Sequence, residues 1–133
     1  MMLQIPSMDQ WIREAKAQPN AEKIGMYLFH NGVVRRTPRA EVRENTAGLP
    51  KVSQMQFSYD DRLVRDAVEA TYALDGIYHV RVWLNSGLLK AGEDIMYVLI
   101  GGDIRPHVTA ALDYLVGRLK SQCVFEQEIP EEK

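Results

Sequence analysis

The sequence predicts an α+β domain in which most strands pair antiparallel. Its 133 residues suffice for one hydrophobic core, so we expect a single domain over residues 1–133. Hydrophobic residues make up 46% of the chain and charged residues 26%, which is typical of a folded globular protein. Short apolar strands and amphipathic helices follow one another in the order α-β-β-β-α-β-β-α-β. That order lacks the strict alternation that builds a parallel sheet.

The N-terminal third is predicted to hold one helix and a pair of strands. Ser7 is a suitable N-cap for a helix that ends near Gln18. The apolar run Ile24–Phe29 predicts a strand, and Asn31-Gly32 after it is a dipeptide typical of hairpin turns. Residues 35–48 are polar and lack periodicity, which indicates a mobile loop before the next strand.

The central third is predicted to form a strand, a helix and a second strand. The first strand covers Val52–Phe57, and the spacing of Ser58 and Asp61 after it is that of a capping box. Asp75-Gly76 is expected to close the helix, and the alternating segment Ile77–Leu84 predicts the next strand. The inner stripe of the helix comprises Leu63, Val64, Ala67, Val68, Thr71 and Leu74.

The C-terminal third contains the most apolar strand and the longest helix. Asp94–Ile100 is predicted to be the most buried strand of the domain. Asp103 is expected to cap the helix that follows, with Pro106 in its first turn, and this helix should end near Lys120. Its inner stripe comprises Val108, Ala111, Leu112, Leu115 and Leu119. Cys123–Ile129 is predicted to be the final strand.

Composition argues against several classes of function. A net charge of −2 gives no general reason to expect nucleic acid or an anionic membrane as a partner. The single cysteine, Cys123, excludes an internal disulfide and a multi-cysteine metal site, which favours a reducing cytoplasm. His30, His79 and His107 lack ligand spacing, so we expect neither a metal nor a cofactor. No signal peptide is apparent, and the longest apolar run, Ile95–Ile100, is far below the ~20 residues of a membrane helix.

Lys120 is the main candidate for a catalytic residue. It follows the buried stripe of the last helix by one position, so its methylenes can rest on apolar surface while its ammonium reaches a groove. A lysine in such a place can serve as an acid, a base or a nucleophile. The alternative is a cation that stabilises a helix C-terminus by ~0.3–1 kcal/mol and has no chemical role.

Arginines offer two candidate anion sites. Arg105 begins a helix after Gly101-Gly102, where free N–H groups and a guanidinium would suit phosphate or carboxylate, although the glycines could equally form an ordinary turn. A second group lies within residues 35–48 and comprises Arg35, Arg36, Arg39 and Arg43. It could neutralise a phosphate, or it could be a solvated loop in which Glu41 and Glu44 offset part of the charge.

A collinear set of these residues resembles the large, catalytic subunit of molybdopterin synthase. The set comprises Gly87, Leu89, Gly92, Glu93, Ile95–Val98, Arg105, Leu119 and Lys120. Upstream, Gly32-Val33-Val34-Arg35 is similar to the Gly-x-Val-Arg of that family, and Met55–Tyr59 matches it more weakly. The resemblance spans residues from about 24 to 128, and its weight comes from the order of the whole set rather than from any single motif.

The resemblance implies a fold, a set of partners and a reaction. The family has an α/β-hammerhead fold and forms a homodimer within a heterotetramer, in which each protomer binds a small β-grasp, ubiquitin-like sulfur carrier. The carrier's C-terminal Gly-Gly thiocarboxylate supplies sulfur, twice, to cyclic pyranopterin monophosphate, and molybdopterin is formed. By position, Lys120 would be catalytic, and Arg35 and Arg39 would bind the substrate or tail anion. Arg105 would serve the anion site, either within its own protomer or across the dimer interface. Neither nucleic acid nor membrane is implied.

The chain departs from the family pattern at two positions. Ile104 stands where a histidine usually precedes the arginine of the helix start. Gln127, flanked by Glu126 and Glu128, stands where a second lysine is usual. These departures favour an alternative, in which the chain is a non-catalytic relative that keeps the dimer and acts as a partner-binding module. A further alternative is an RNA- or nucleotide-binding domain that uses the arginine segment.

Overall fold

Two three-stranded antiparallel sheets form the scaffold of the chain in a computed structural model, which describes residues 5–132. The helices are α1 (Met8–Lys16), α2 (Arg39–Arg43), α3 (Asp61–Tyr72) and α4 (Arg105–Arg118). The strands are β1 (Met26–Val33), β2 (Val52–Tyr59), β3 (Ile77–Leu84), β4 (Gly87–Lys90), β5 (Asp94–Gly102) and β6 (Val124–Pro130). A 3₁₀ turn, Pro19–Lys23, precedes β1, and one π turn, Leu119–Cys123, follows α4. The predicted α+β class with antiparallel pairing is confirmed.

The first sheet has the order β1-β5-β3 and is built around its most apolar strand. All residues of β5 after Asp94 are buried, because β5 carries side chains of the core on both of its faces. One face of the sheet packs against α4, which contacts all three strands, and against α3, which contacts β3. The other face is covered by α1, whose Trp11 and Ala15 pack on Tyr97 and Leu99.

The second sheet has the order β4-β2-β6, and its inner face meets the main core. Met55 in β2 lies opposite Leu89 of β4 and Glu128 of β6. Directly paired residues of antiparallel strands share one face, so Glu128 is on the same side of the sheet as the buried Met55. By the same alternation, Gln127 faces the opposite side together with Gln56.

The two long helices turn most of their predicted apolar stripes toward the core, but Leu63 was predicted wrongly. In α4 and the π turn, Val108, Ala111, Leu115 and Leu119 are buried, as the helical spacing predicts. In α3, the buried residues are Ala67 and Thr71, whose hydroxyl donates to the Ala67 carbonyl, and Leu63 is exposed.

One predicted turn and one predicted loop in the first half of the chain are wrong. Asn31-Gly32 does not form a hairpin; it continues β1, because β5 offers a partner along this whole length. Residues 35–48 do not form an entirely irregular loop, since they contain the short helix α2. The partner of Asn31-Gly32 is the distant strand β5, and α2 begins where the Arg39 N–H meets Glu128 of β6; a local pattern reveals neither partner.

Two predicted helix caps differ in detail. The carboxylate that caps α3 belongs to Asp60, which accepts from the backbone N–H of Arg62 and Leu63, rather than to the Ser58 and Asp61 pair. At the start of α4, Asp103 accepts from the N–H of Ile104. The same carboxylate also pairs with His107.

Gly101-Gly102 lies within β5 instead of forming a turn after it. A Cβ on Gly102 would lie 2.6 Å from the Gly76 carbonyl oxygen and 2.7 Å from a methyl of Val108. A Cβ on Gly101 would lie 2.8 Å from the ring of Tyr27. Close packing against neighbouring elements therefore explains both glycines, and no anion is needed to account for them.

Candidate anion-binding site

Lys120 lies in the π turn that follows the last helix, between two buried residues. Helix α4 ends at Arg118, and the π turn that follows keeps both Leu119 and Cys123 buried. Lys120, between them, is exposed. A π turn adds one residue to a helical turn, so it shifts the side chains that follow relative to the α-helical stripe. Lys120 is thereby anchored by buried neighbours while its ammonium remains accessible.

A pocket of about 90 Å³ lies beside Lys120 on the inner side of the second sheet. It is lined by Val33, Arg35, Arg39, Arg43, Met55, Ile95, Lys120, Glu126 and Glu128. The lining comes from both sheets and from the segment between β1 and β2. The fold therefore brings together Lys120, Arg35 and Arg39, three of the four residues that the sequence singled out.

The four cations of this pocket have no acidic partner within 4.0 Å in residues 5–132. Arg35 donates from Nε to the Thr37 carbonyl at 3.0 Å, which orients its guanidinium without neutralising it. Arg36, by contrast, pairs with Glu131 and does not line the pocket. Unpaired cations that share one concave surface repel one another, and a bound anion would relieve that repulsion.

Two carboxylates enter the same pocket from β6. Glu126 and Glu128 both line it, whereas Gln127 between them does not. Glu128 accepts the backbone N–H of Arg39 with both oxygens, at 3.0 and 3.2 Å. With four cations and two carboxylates, the lining retains an excess of two positive charges.

Residues of helix α2 also line two further cavities. One, of about 270 Å³, is lined by Arg39, Arg43, Gly117, Lys120 and Ser121. The other, of about 460 Å³, is lined by Arg39, Ala40, Arg43, Glu44 and Glu128. All three cavities share Arg39 and Arg43, so the position of α2 governs the shape of the whole cationic region.

His30 is a neighbour of the site that the sequence did not indicate. It lies in β1, half-buried, and pairs in register with Val98. Burial lowers the pKa of its imidazole below 6.5, and the charge of Lys120 lowers this pKa further. The imidazole is therefore close enough to Lys120 to sense its charge. No spacing rule relates a residue of β1 to one after α4, so the sequence alone does not predict that the charge of Lys120 acts on His30.

Arg105 lies apart from the pocket. It begins α4, and the rise along a helix separates it from Lys120 by about 20 Å. Neither Arg105 nor Ile104 lines any of the three cavities. Ile104 is 53% exposed. Within one chain, the expected anion site thus contains Arg35 and Arg39 without Arg105.

The described residues contain no group of three or more histidine, cysteine, aspartate or glutamate side chains placed to hold a metal ion. Likewise, no helix within residues 5–132 is long and apolar enough to cross a membrane.

Comparison with protein families gives a match over most of the chain. The sequence profile of the family described as MoaE protein matches residues 6–122. The chain belongs to the MoaE protein family. This membership supports a role in molybdenum cofactor biosynthesis. Comparison with curated protein sequences gives no significant match.

Solved structures of this family share the fold of the present MoaE family member. Molybdopterin synthase from Staphylococcus aureus superposes with a TM-score of 0.72 at 15% identity, covering 96% of this chain and 88% of that one. The MoaE protein from Burkholderia ambifaria gives 0.67 at 17% identity, with 96% and 82% covered. A chain from the Helicobacter pylori complex of subunits 1 and 2 of molybdopterin-converting factor gives 0.65 at 12% identity, with 95% and 77% covered. At these identities the likeness establishes the fold alone.

Proposed function

We propose that this MoaE family member is a molybdopterin synthase large subunit. In this proposal it transfers sulfur from a thiocarboxylated β-grasp carrier protein to cyclic pyranopterin monophosphate. The observation that carries the proposal is the convergence of Lys120 with Arg35, Arg39 and Arg43 in one pocket, where none of them pairs with a carboxylate of residues 5–132. The family match and the collinear residues from Gly87 to Lys120 support it.

The reaction requires an excess of positive charge. Both the substrate phosphate and the carrier's C-terminal thiocarboxylate are anions, and they must approach each other for sulfur to transfer. Cations that are held in place before the reactants bind offset their repulsion without further reorganisation. We assign this role to Arg35 and Arg39, and we assign to Lys120 the stabilisation of charge or the delivery of a proton at the reacting atoms.

The cavity volumes suggest a division of the site. The pocket of about 90 Å³ is the smaller of the two cavities that reach Lys120, so we assign to it the terminal phosphate or carboxylate of a reactant. The adjoining cavity of about 270 Å³ also reaches Lys120 and has room for a larger group. In this arrangement Lys120 lies between the anionic end of one reactant and the body of the other.

The proposed assembly is a homodimer in which each protomer binds one carrier. The Helicobacter pylori relative forms a complex of its two subunits, which supports a small carrier partner for this chain. Because Arg105 lies about 20 Å from Lys120 along α4, any role for Arg105 at this pocket requires a second protomer.

A sulfur-transfer assay tests the proposal directly. The purified chain, a thiocarboxylated carrier and the cyclic precursor are mixed, and molybdopterin is measured for the wild type, Lys120→Ala and Lys90→Ala. We expect Lys120→Ala to reduce the rate by about 10²–10⁴-fold, the usual contribution of a positioned proton donor. Lys90 is exposed and lies on β4, so its replacement is the matched control. If neither wild type nor Lys120→Ala converts the precursor, the enzymatic proposal is wrong.

A second candidate function is a non-catalytic partner-binding module. The presence of Glu126 and Glu128 in the cationic pocket favours it, because both carboxylates weaken the attraction for an anionic substrate. Tight binding of a β-grasp protein with an intact Gly-Gly tail, without conversion of the precursor, would select this function.

A further inference from the structure

The carboxylate of Glu128 is directed at the backbone of helix α2 rather than at any cation of the pocket. Its two oxygens lie 3.0 and 3.2 Å from the Arg39 nitrogen, and both accept the N–H of that residue. No Lys or Arg side chain in residues 5–132 lies within 4.0 Å of this carboxylate. Glu128 therefore binds the arginine segment through its backbone and leaves the guanidinium groups free.

Helix α2 depends on such a contact for its position. It has only five residues, none of them buried, and its own N-cap residue, Pro38, offers no side-chain acceptor. A helix this short is not stable by itself in water, and the first N–H groups of any helix lack internal partners. The segment before α2 is held by the burial of Pro38, by a hydrogen bond of 2.7 Å from the Val52 N–H to the Arg36 carbonyl, and by the ion pair of Arg36 with Glu131.

We propose that Glu128 is a positioning residue that holds α2 in the orientation where Arg39 and Arg43 line the cavities around Lys120. The inference deepens the proposed function, since it explains why a carboxylate is tolerated in an anion site. Without this contact, α2 would sample other positions, and its two arginines would spend less time beside the pocket.

Glu126 provides a matched comparison on the same strand. It lines the same pocket, carries the same charge and makes no side-chain hydrogen bond within the described part of the chain. Removal of either carboxylate takes one negative charge from the pocket, which by itself should strengthen anion binding. Only the removal of Glu128 also releases α2. The two effects of a Glu128 substitution therefore oppose each other, whereas Glu126 contributes the charge effect alone.

The experiment measures two properties of the full chain and of its variants Glu126→Ala, Glu128→Ala and Glu128→Gln. The first is the Kd of inorganic phosphate, obtained from calorimetric or NMR titration. The second is the exchange rate of the Arg39 amide proton with water, measured by NMR. Both glutamates lie on a partly exposed strand and neither belongs to the hydrophobic core, so each variant should fold, and a thermal melt verifies this.

We expect Glu126→Ala to bind phosphate several-fold more tightly, with the exchange rate at Arg39 unchanged. Glu128→Ala should bind phosphate no more tightly than the wild type and should exchange the Arg39 amide at least ten-fold faster. The amide oxygen of Glu128→Gln can still accept a hydrogen bond, so this variant should recover part of the protection.

Equal tightening in both alanine variants, with the Arg39 amide still protected in Glu128→Ala, would overturn the positioning role. An Arg39 amide that exchanges at the rate of an unstructured peptide in the wild type would overturn it as well. If neither the wild type nor any variant binds phosphate, the proposed anion site is wrong. The exchange rates of the Arg39 amide still decide whether Glu128 holds α2 in place. The two failures are thus separable.

Discussion

The His30 imidazole lies within electrostatic reach of the Lys120 ammonium, although one belongs to the first strand and the other follows the last helix. Burial is the main cause of the lowered pKa of His30, and the positive charge of Lys120 is the second. Both effects disfavour the protonated imidazole. The pKa of His30 therefore responds to the charge of Lys120, although His30 does not line the cationic pocket.

The first prediction concerns the titration of His30. Lys120→Gln should raise the pKa of His30 toward 6.5 because it removes the repelling charge, but the pKa should stay below that value because burial remains. NMR titration of the imidazole protons would show the shift. Lys90→Gln is the control, since Lys90 is not among the causes of the lowered pKa. An unchanged pKa in Lys120→Gln would place the ammonium too far from His30 to matter.

The elements that the sequence predicted correctly are those decided by local patterns. The apolar run of β5 and the stripe of α4 are visible in any short window, and both are confirmed. The grouping of Lys120 with Arg35 and Arg39 came from the collinear resemblance rather than from spacing. The contact of Glu128 with Arg39 and the effect of Lys120 on His30 depend on which strands pair and in which register, and no local pattern specifies that pairing.

The second prediction concerns stability in mild acid. His30 and His79 both have a lowered pKa, mainly from burial, and the charge of Arg81 adds to the effect at His79. Below pH 6.5 the unfolded chain binds protons at these positions more readily than the folded chain does. The free energy of unfolding should therefore decrease as the pH falls below 6.5, and it should be fully retained above that value.

The third prediction isolates His79. Its Nε2 is buried without a hydrogen-bond partner in the described residues, and its ring packs edge-on against Tyr27. His79→Phe should keep the ring contact and remove the unpaired nitrogen, which would stabilise the fold at pH 7.5 by about 1 kcal/mol. It should also reduce the loss of stability in acid. Urea unfolding at pH 5.5 and 7.5 would measure both, and an identical pH dependence in wild type and variant would contradict the assignment.

The fourth prediction tests why Gly102 is a glycine. An added Cβ would lie 2.6 Å from the Gly76 carbonyl oxygen, a backbone atom that cannot rotate away. Gly102→Ala should therefore destabilise the chain by about 1–3 kcal/mol, the usual cost of overpacking. Gly117→Ala is the control, since no atom lies within 4 Å of its added Cβ and it sits inside α4. That variant should be more stable by up to about 1 kcal/mol, because alanine favours helices. Thermal or urea unfolding would compare the two.

The fifth prediction follows from the alternation of side chains along β6. Glu126 lines the cationic pocket, whereas Gln127 faces the other side of the sheet with Gln56. Glu126→Lys should therefore bind inorganic phosphate at least ten-fold more tightly, because it reverses a charge at the site, and this gain should shrink as salt is added. Gln127→Lys changes the net charge of the chain by one unit but should change the affinity much less. Calorimetric titration at two salt concentrations distinguishes them. Equal tightening in both variants would mean that the overall charge of the chain, rather than the direction of these side chains, governs anion binding.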